Sequence, residues 1–291
     1  MIVRGHEAVL VQGITGRQGS FWSERMRDYG TRIIGGVNPK KAGAIHCGVP
    51  VYASAAEAMK ETPFQVSVLF IPPLGVKAAA LDAIEAGARK LVVLTEHVPV
   101  QDVVYLLAAA RESGVRVVGP NTAGLVTPGE CFVGVMPAFD PRIFTPGRIG
   151  VISRSGSLGT LVCLDLVRAG FGISAFIGIG GDPILGTTTE AALAELHADR
   201  RTQAVVIVGE IGGAMEEAAA AYAGSIGKPV VAFIAGAAAP PGKRMGHAGA
   251  IVMGKTGSHA AKRSAFEAAG VAVLDTPSAA AAALKARMGR A

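Results

Sequence analysis

His247 lies in the stretch Ala239-Pro240-Pro241-Gly242-Lys243-Arg244-Met245-Gly246-His247-Ala248-Gly249-Ala250. Its prolines and glycines make an irregular loop whose backbone N–H groups can turn toward an anion, and Lys243 and Arg244 add positive charge beside it. A neutral imidazole can attack phosphorus and later release it, so a lone histidine in such a loop suits a phosphohistidine intermediate. The same residues also suit a surface loop with no role, and the loop alone does not choose between the two.

A second candidate is Gln12-Gly13-Ile14-Thr15-Gly16-Arg17-Gln18-Gly19, which follows the apolar run Ala8–Gln12 and precedes a helical stretch from Ser20 to about Asp28. Strand, glycine turn and helix together bring backbone N–H groups and a helix N-terminus to a phosphate. The spacing is G-x-x-G-x-x-G, not the G-x-G-x-x-G of nicotinamide-dinucleotide sites. The next strand, Arg32–Val37, ends at Asn38-Pro39-Lys40-Lys41, where such a site would offer an acid to the ribose hydroxyls. Lysines there favour a phosphate instead: the 3′-phosphate of coenzyme A or the 2′-phosphate of NADP. Lys41 also reads, with less weight, as a solvated surface lysine beside Lys40.

Gly249–Thr256 satisfies the letter of the phosphate-loop pattern G-x-x-x-x-G-K-[ST], but no strand precedes its first glycine, so we discount it. His6, His46, His97, His197 and His259 have no metal-ligand spacing, and no metal site is expected. Cys47, Cys131 and Cys163 are odd in number and far apart, which argues against a disulfide framework.

These candidates need strands and helices to position them. Apolar runs at Val66–Ile71, Lys90–Leu94 and Arg116–Val118 alternate with helical stretches at Val76–Ala86 and Val100–Glu112, predicting a parallel, doubly wound α/β sheet. Its strand ends carry Pro72-Pro73, Thr95-Glu96-His97 and Pro120-Asn121-Thr122, which should line one crevice. Between Gly119 and Gly147 the chain is rich in Pro and Gly without sustained periodicity, and reads as a connection. A second α/β pattern follows: strands near Ile149–Ser153, Ile173–Ile179, Ala204–Gly209 and Pro229–Ile234, and helices near Leu158–Ala169, Thr188–Ala198 and Met215–Ser225. A short helical stretch at Phe266–Ala269, a strand Val271–Leu274 and a helix Ser278–Arg287 close it. The net charge of +6 is dispersed, with few aromatics to stack on bases, so nucleic acid is not expected. No membrane span or secretory signal is visible, so a cytoplasmic location is expected.

Four blocks in this order resemble the α subunit of succinyl-CoA synthetase and related acid–CoA ligases: Gln12–Gly19; Ser153-Arg154-Ser155-Gly156-Ser157; Gly178-Ile179-Gly180-Gly181-Asp182-Pro183 with Gly209-Glu210-Ile211-Gly212-Gly213; and Gly242–Ala250. The resemblance implies a Rossmann-like CoA-binding domain over 1–120, a connecting segment over 121–147 and a flavodoxin-like ligase domain over 148–291. It implies a heteromer with an ATP-grasp β subunit that holds ATP or GTP with Mg. His247 would be phosphorylated, the phosphoryl group would pass to a carboxylic acid, and the thiol of coenzyme A would take the acyl group. CoA would meet Thr15, Gly16, Arg17, Gln18, Lys41 and Leu94-Thr95-Glu96. Glu210 would steady His247, though it also reads as a helix-start acid before Met215. Ser153, Ser155, Gly156 and Ser157 would hold the phosphoryl group, though a plain N-cap explains Ser155 or Ser157 equally well.

Of the substrate positions Asn121, Thr122, Ala123 and Thr160, the last three depart from the pattern. Members that use succinate read Pro-Asn-Cys-Pro-Gly where this chain has Pro120-Asn121-Thr122-Ala123-Gly124, and a tyrosine where it has Thr160. Smaller side chains at Ala123 and Thr160, with hydroxyls on Thr122 and Thr160, point away from succinate toward a more oxygenated or bulkier acid such as malate, citrate or a sulfonated acid. Two other readings stay open: a non-catalytic CoA-binding regulatory paralogue, and an NADP-binding oxidoreductase.

Overall fold

The computed structural model describes residues 1–240, 242–252 and 256–289. Pro241 of the histidine loop and residues 253–255 of the Gly249–Thr256 pattern lie outside the described residues. Two sheets carry the chain. The first is built from β1 (Val9–Gln12), β2 (Ile33–Val37), β3 (Ile45–His46), β4 (Val49–Tyr52), β5 (Val66–Leu69), β6 (Lys90–Val93) and β7 (Arg116–Val118), in the order β3-β4-β2-β1-β5-β6-β7. Only the β3–β4 pair is antiparallel among the described residues. Strands β1 and β5 are buried at every position, as strands covered by helices on both faces must be. The crossovers are α1 (Arg17–Tyr29), α2 (Ala55–Glu61), α3 (Val76–Glu85) and α4 (Val100–Glu112).

The second sheet comprises β8 (Gly124–Thr127), β9 (Cys131–Gly134), β10 (Pro146–Ser153), β11 (Ile173–Gly178), β12 (Ala204–Glu210), β13 (Val230–Ala235) and β14 (Ala272–Leu274), in the order β14-β13-β12-β10-β11-β8-β9. Strands β10 to β14 run parallel, the arrangement of a flavodoxin-like sheet. Helices α5 (Gly156–Arg168), α6 (Thr189–Ala198), α7 (Met215–Ser225), α8 (His259–Ala268) and α9 (Ala280–Met288) cover it. In each sheet the winding reverses once, between β1 and β5 and between β10 and β12. Crevices at the carboxyl ends of strands open at such points.

The segment 121–147, expected as a connection, is not merely that. Strands β8 and β9 form an antiparallel hairpin on the edge strand β11, so part of this segment belongs to the second sheet. The hairpin also packs on the first domain. Phe132 of β9 is fully buried and stands edge-on to Trp22 and Tyr29 of α1, with ring centroids 6.4 and 5.5 Å away. The Thr31 hydroxyl donates to the Phe132 carbonyl at 2.7 Å and accepts from its N–H at 3.1 Å. Helix α8 starts at Ser258, whose side chain accepts from the Ala261 N–H, and so extends well before the expected Phe266.

Phe132 is therefore an apolar weld between the hairpin of the second sheet and α1 of the first domain. Phe132→Ala should lower stability by about 3–5 kcal/mol. Urea unfolding followed by tryptophan fluorescence, which reports Trp22, should show the loss; a change under about 1 kcal/mol would contradict the assignment.

Candidate functional site

At the reversal point of the first sheet lies a cavity of about 750 Å³ lined by Gln12, Gly13, Thr15, Gly16, Asn38 and Lys41 on one side and by Ile71, Pro72 and Ala79 on the other. Helix α1 opens beside it with Gly16 as N-cap and no side-chain cap, so its first N–H groups are left for a guest. The turn is closed by contact: a Cβ on Gly19 would lie 2.2 Å from the Gly13 carbonyl oxygen. Asn38 donates to the Thr15 hydroxyl at 2.5 Å and its own side chain accepts from the Lys40 N–H, which fixes the Pro39–Lys41 turn over the cavity. Arg17, Gln18 and Lys41 are exposed there.

Leu94, Thr95 and Glu96 lie apart from that cavity, at the end of β6. Leu94 packs into the core, and the Thr95 hydroxyl donates to the Ile71 carbonyl at 2.7 Å. These residues face the second domain instead. The Asn121 N–H donates to the Thr95 carbonyl at 2.9 Å, and the Asn121 amide donates to Asp182 at 2.9 Å.

The reversal point of the second sheet holds His247. Its Nδ1 lies 2.7 Å from Glu210 Oε2, and a carboxylate only accepts, so Nδ1 carries the proton and Nε2 is the free lone pair. Glu210 ends β12 and is only 6% exposed. Its other oxygen lies 3.3 Å from Arg154 Nε. The Glu210 hydrogen bond raises the His247 pKa above its usual 6.5 against the opposing pull of burial; Glu210 and Glu96 raise it further by their charge, and Arg154 lowers it. The imidazole packs flat against a glycine, because a Cβ on Gly181 would lie 2.4 Å from His247 Cγ. The loop is tied down by the Gly249 N–H donating to the Gly181 carbonyl at 3.0 Å. Lys243 and Arg244 are exposed.

Beside the ring is a cavity of about 260 Å³ shared by Ser155, Ser157, Glu210, Gly236, Gly246 and His247. It opens onto the N-terminus of α5, where Ser155 is the N-cap and accepts from the Leu158 N–H. The serines at 155 and 157 face each other at 3.2 Å between their hydroxyls. Ser153 is fully buried and donates to the Ser155 carbonyl at 2.6 Å, so it shapes the turn and does not face the cavity.

The expected substrate residues lie around the start of α5. The Thr122 hydroxyl is buried and donates to the Gly178 carbonyl, and the Thr160 hydroxyl donates to the Gly156 carbonyl at 2.8 Å. Each hydroxyl oxygen keeps lone pairs that can accept. Ala123 faces the α5 turn: a Cβ on Gly156 would lie 2.8 Å from Ala123 Cβ. The role of Arg154 was not foreseen, although an arginine directly after an apolar strand is itself a signal of a buried charge partner.

Known proteins resemble the chain along most of its length. The model of a CoA-binding domain matches residues 5–97, and that of a CoA-ligase domain matches residues 152–272. The α subunit of the ADP-forming succinate–CoA ligase of Methanothermobacter thermautotrophicus is 48% identical, covering 96% of this chain and 94% of its own. A subunit of the ADP-forming sulfoacetate–CoA ligase of Bilophila wadsworthia is 44% identical over 97% of each chain. The malate–CoA ligase α subunit of Methylorubrum extorquens is 42% identical over 92% of each. Among solved structures, an ATP citrate lyase of Methanosaeta concilii with bound citryl-CoA superposes with a TM-score of 0.90 at 24% identity; the chain spans 51% of that protein's length and shares its fold.

A raised histidine pKa ties stability to pH. The His247–Glu210 pair should contribute fully below about 6.5, the usual histidine value, and lose its contribution as pH rises through the higher folded value. The urea midpoint of the native chain should therefore fall across that window more than that of Glu210→Gln. Parallel curves for the two would show that the pair does not set the histidine pKa.

Proposed function

Because the chain belongs to the family of α subunits of ADP-forming acid–CoA ligases, we propose that it joins a short carboxylic acid to coenzyme A with His247 as the phosphoryl carrier. The observation that carries this is the imidazole itself: Nδ1 is held 2.7 Å from a buried carboxylate, Nε2 is free, and the N-terminus of α5, capped by Ser155, lies across a small cavity. On this reading residues 1–120 hold CoA and residues 148–291 carry the phosphoryl group.

The residues fit these tasks. Neutral Nε2 attacks the terminal phosphorus of a nucleoside triphosphate, the bond from that phosphorus to the bridging oxygen breaks and the nucleoside diphosphate leaves, and Glu210 offsets the imidazolium charge that develops as the N–P bond forms. The first N–H groups of α5, with the Ser155 and Ser157 hydroxyls, receive the phosphoryl oxygens. A carboxylate oxygen of the acid then attacks the phosphorus, giving an acyl phosphate and returning neutral His247. The thiol of bound CoA, losing its proton, attacks the acyl carbon, the bond from that carbon to the phosphate oxygen breaks, and inorganic phosphate leaves with the thioester formed. Thr15, Gly16, Lys41 and the first turn of α1, with Arg17 and Gln18, would hold its phosphates, and Thr95 and Glu96 would line its path toward His247.

The 260 Å³ cavity is below the roughly 300–1,000 Å³ of pockets that enclose larger ligands. It has room for a phosphoryl group and a small acid. This supports the reading that the nucleotide, ATP or GTP with Mg, is held by an ATP-grasp β subunit that presents it to His247. The relatives named above are ligases of succinate, sulfoacetate and malate. These are short acids with a second anionic group, and we assign the same class here.

Two experiments test the reading. Mixed with a β partner and radiolabelled nucleotide, the chain should gain an acid-labile, alkali-stable phosphate; His247→Asn should abolish it, and Glu210→Gln should slow it by about tenfold or more. Labelling that persists in His247→Asn places the carrier elsewhere. In calorimetry, Lys41→Ala should weaken CoA by about fivefold to tenfold while leaving dephospho-CoA unchanged, an exposed charge–phosphate contact contributing about 1 kcal/mol. Equal losses for both ligands would remove Lys41 from the 3′-phosphate.

A further inference from the structure

Behind Glu210 lies a buried set of charges that the phosphoryl reading does not use. Lys262 of α8 is 0% exposed, as is Glu216 in the first turn of α7. The Lys262 ammonium forms an ion pair with Glu216 Oε2, donates to the Gly212 carbonyl at 2.8 Å and stands 3.8 Å from Glu217 Oε2. Glu216 Oε1 lies 3.9 Å from Arg154 Nη1 and accepts from the Glu210 N–H at 3.4 Å. Arg154 donates to the carbonyls of Gly212 at 3.2 Å and Asp182 at 3.3 Å, and its Nε faces Glu210 Oε1. A row of direct neighbours therefore runs Lys262, Glu216, Arg154, Glu210, His247, with the Gly212 carbonyl shared by both cations.

Two cations and two carboxylates that are all 6% exposed or less balance one another, with Glu217 a further carboxylate at 3.8 Å from Lys262. Arg154 sits between both carboxylates of the quartet, on Glu210 while Lys262 pairs Glu216. A buried carboxylate left without a cation draws the nearest one strongly, and here that is Arg154.

We propose that Lys262 is a positioning residue for the phosphohistidine centre: by pairing Glu216 it keeps Arg154 on Glu210, and so sets the share of His247 that is neutral and nucleophilic near pH 7. The proposal rests on the reading of His247 as phosphoryl carrier. Its sign is fixed. Removing Lys262 leaves an extra negative charge behind Glu210 and draws Arg154 away, and both effects stabilise the imidazolium. Removing the Glu216 charge leaves extra positive charge and destabilises it. Removing both restores neutrality. The other charged groups around the ring are Glu96 from the end of β6, Asp182 after β11, Glu217 on α7 and the exposed Lys243 and Arg244 of the ring's own loop, and none of these changes in the variants.

The test is an NMR titration of the His247 ring in the isotopically labelled full chain, the signal identified by its loss in His247→Asn. Lys262→Met should raise the midpoint by about half a pH unit or more, Glu216→Gln should lower it by a similar amount, and the double variant should return toward the native value. Lys262→Arg should leave it unmoved. With β partner and nucleotide present, the pH profile of labelling should shift in the same directions. A purely structural role predicts no opposed shifts and no cancellation. If Lys262→Met does not fold, Glu216→Gln and the double variant carry the test. Unmoved midpoints in folded variants, shifts of one sign for both, or a double variant that does not return would overturn the proposal. Absence of labelling in the native chain would instead count against the phosphoryl reading, while the titration still decides the charge network.

Discussion

One short contact, the imidazole Nδ1 against a carboxylate at 2.7 Å, constrains the rest of the second domain. To leave Nε2 as the nucleophile, Glu210 must accept from Nδ1 and remain charged. To hold the ring still it must also be buried, which works against its charge unless a cation stands close. Arg154 meets that need from the neighbouring strand. Both residues stand at the carboxyl ends of adjacent strands because β10 and β12 pair in parallel, with Ser153 opposite Val208 in register. A parallel sheet in which the winding reverses between those two strands therefore places an acid, an arginine and the free start of α5 at one point.

The first domain repeats the device without the histidine. There too a strand leads through a tight turn to a helix start at a reversal point, here without the side-chain cap that Ser155 gives α5, and the acid of a dinucleotide site is replaced by Asn38 and Lys41. Each domain thus offers an anion site built from backbone N–H groups, and the side chains decide what else happens there. Where the second domain adds an ionisable nucleophile and a balancing acid, the first adds an exposed lysine and a larger cavity. Binding and group transfer are separated in the chain because they make opposite demands: one site stays open to solvent, and the other is small and ringed with buried charge.

How much of this was legible follows from the length and burial of each element. The long apolar strands and the helices at Val100–Glu112 and Met215–Ser225 declare themselves by period and by bounding glycines, and the histidine loop by its composition. The β8–β9 hairpin does not: its strands are four residues each, buried on both faces, and so show no alternation. Its partner β11 comes far later in the chain. Helix α8 was mostly hidden because Lys262 reads as solvent-facing in any hydropathy pattern, whereas it points into the protein to meet Glu216. The N-cap at Ser258 was the available signal. At Thr122 and Thr160 a sequence shows a hydroxyl but not which carbonyl receives its proton.

The two crevices are coupled by backbone. The Asn121 N–H holds the Thr95 carbonyl of the first sheet, the Asn121 carbonyl accepts from the Gly181 N–H at 3.1 Å, and the Gly181 carbonyl accepts from the Gly249 N–H two residues beyond the histidine. Asn121 adopts φ 55°, a region asparagine tolerates better than most residues, and its amide also reaches Asp182 and Glu96. Asn121 is thus the pin on which the end of β6 and the histidine loop are both hung. The same pin holds Glu96 near the second domain, where its charge raises the His247 pKa together with that of Glu210.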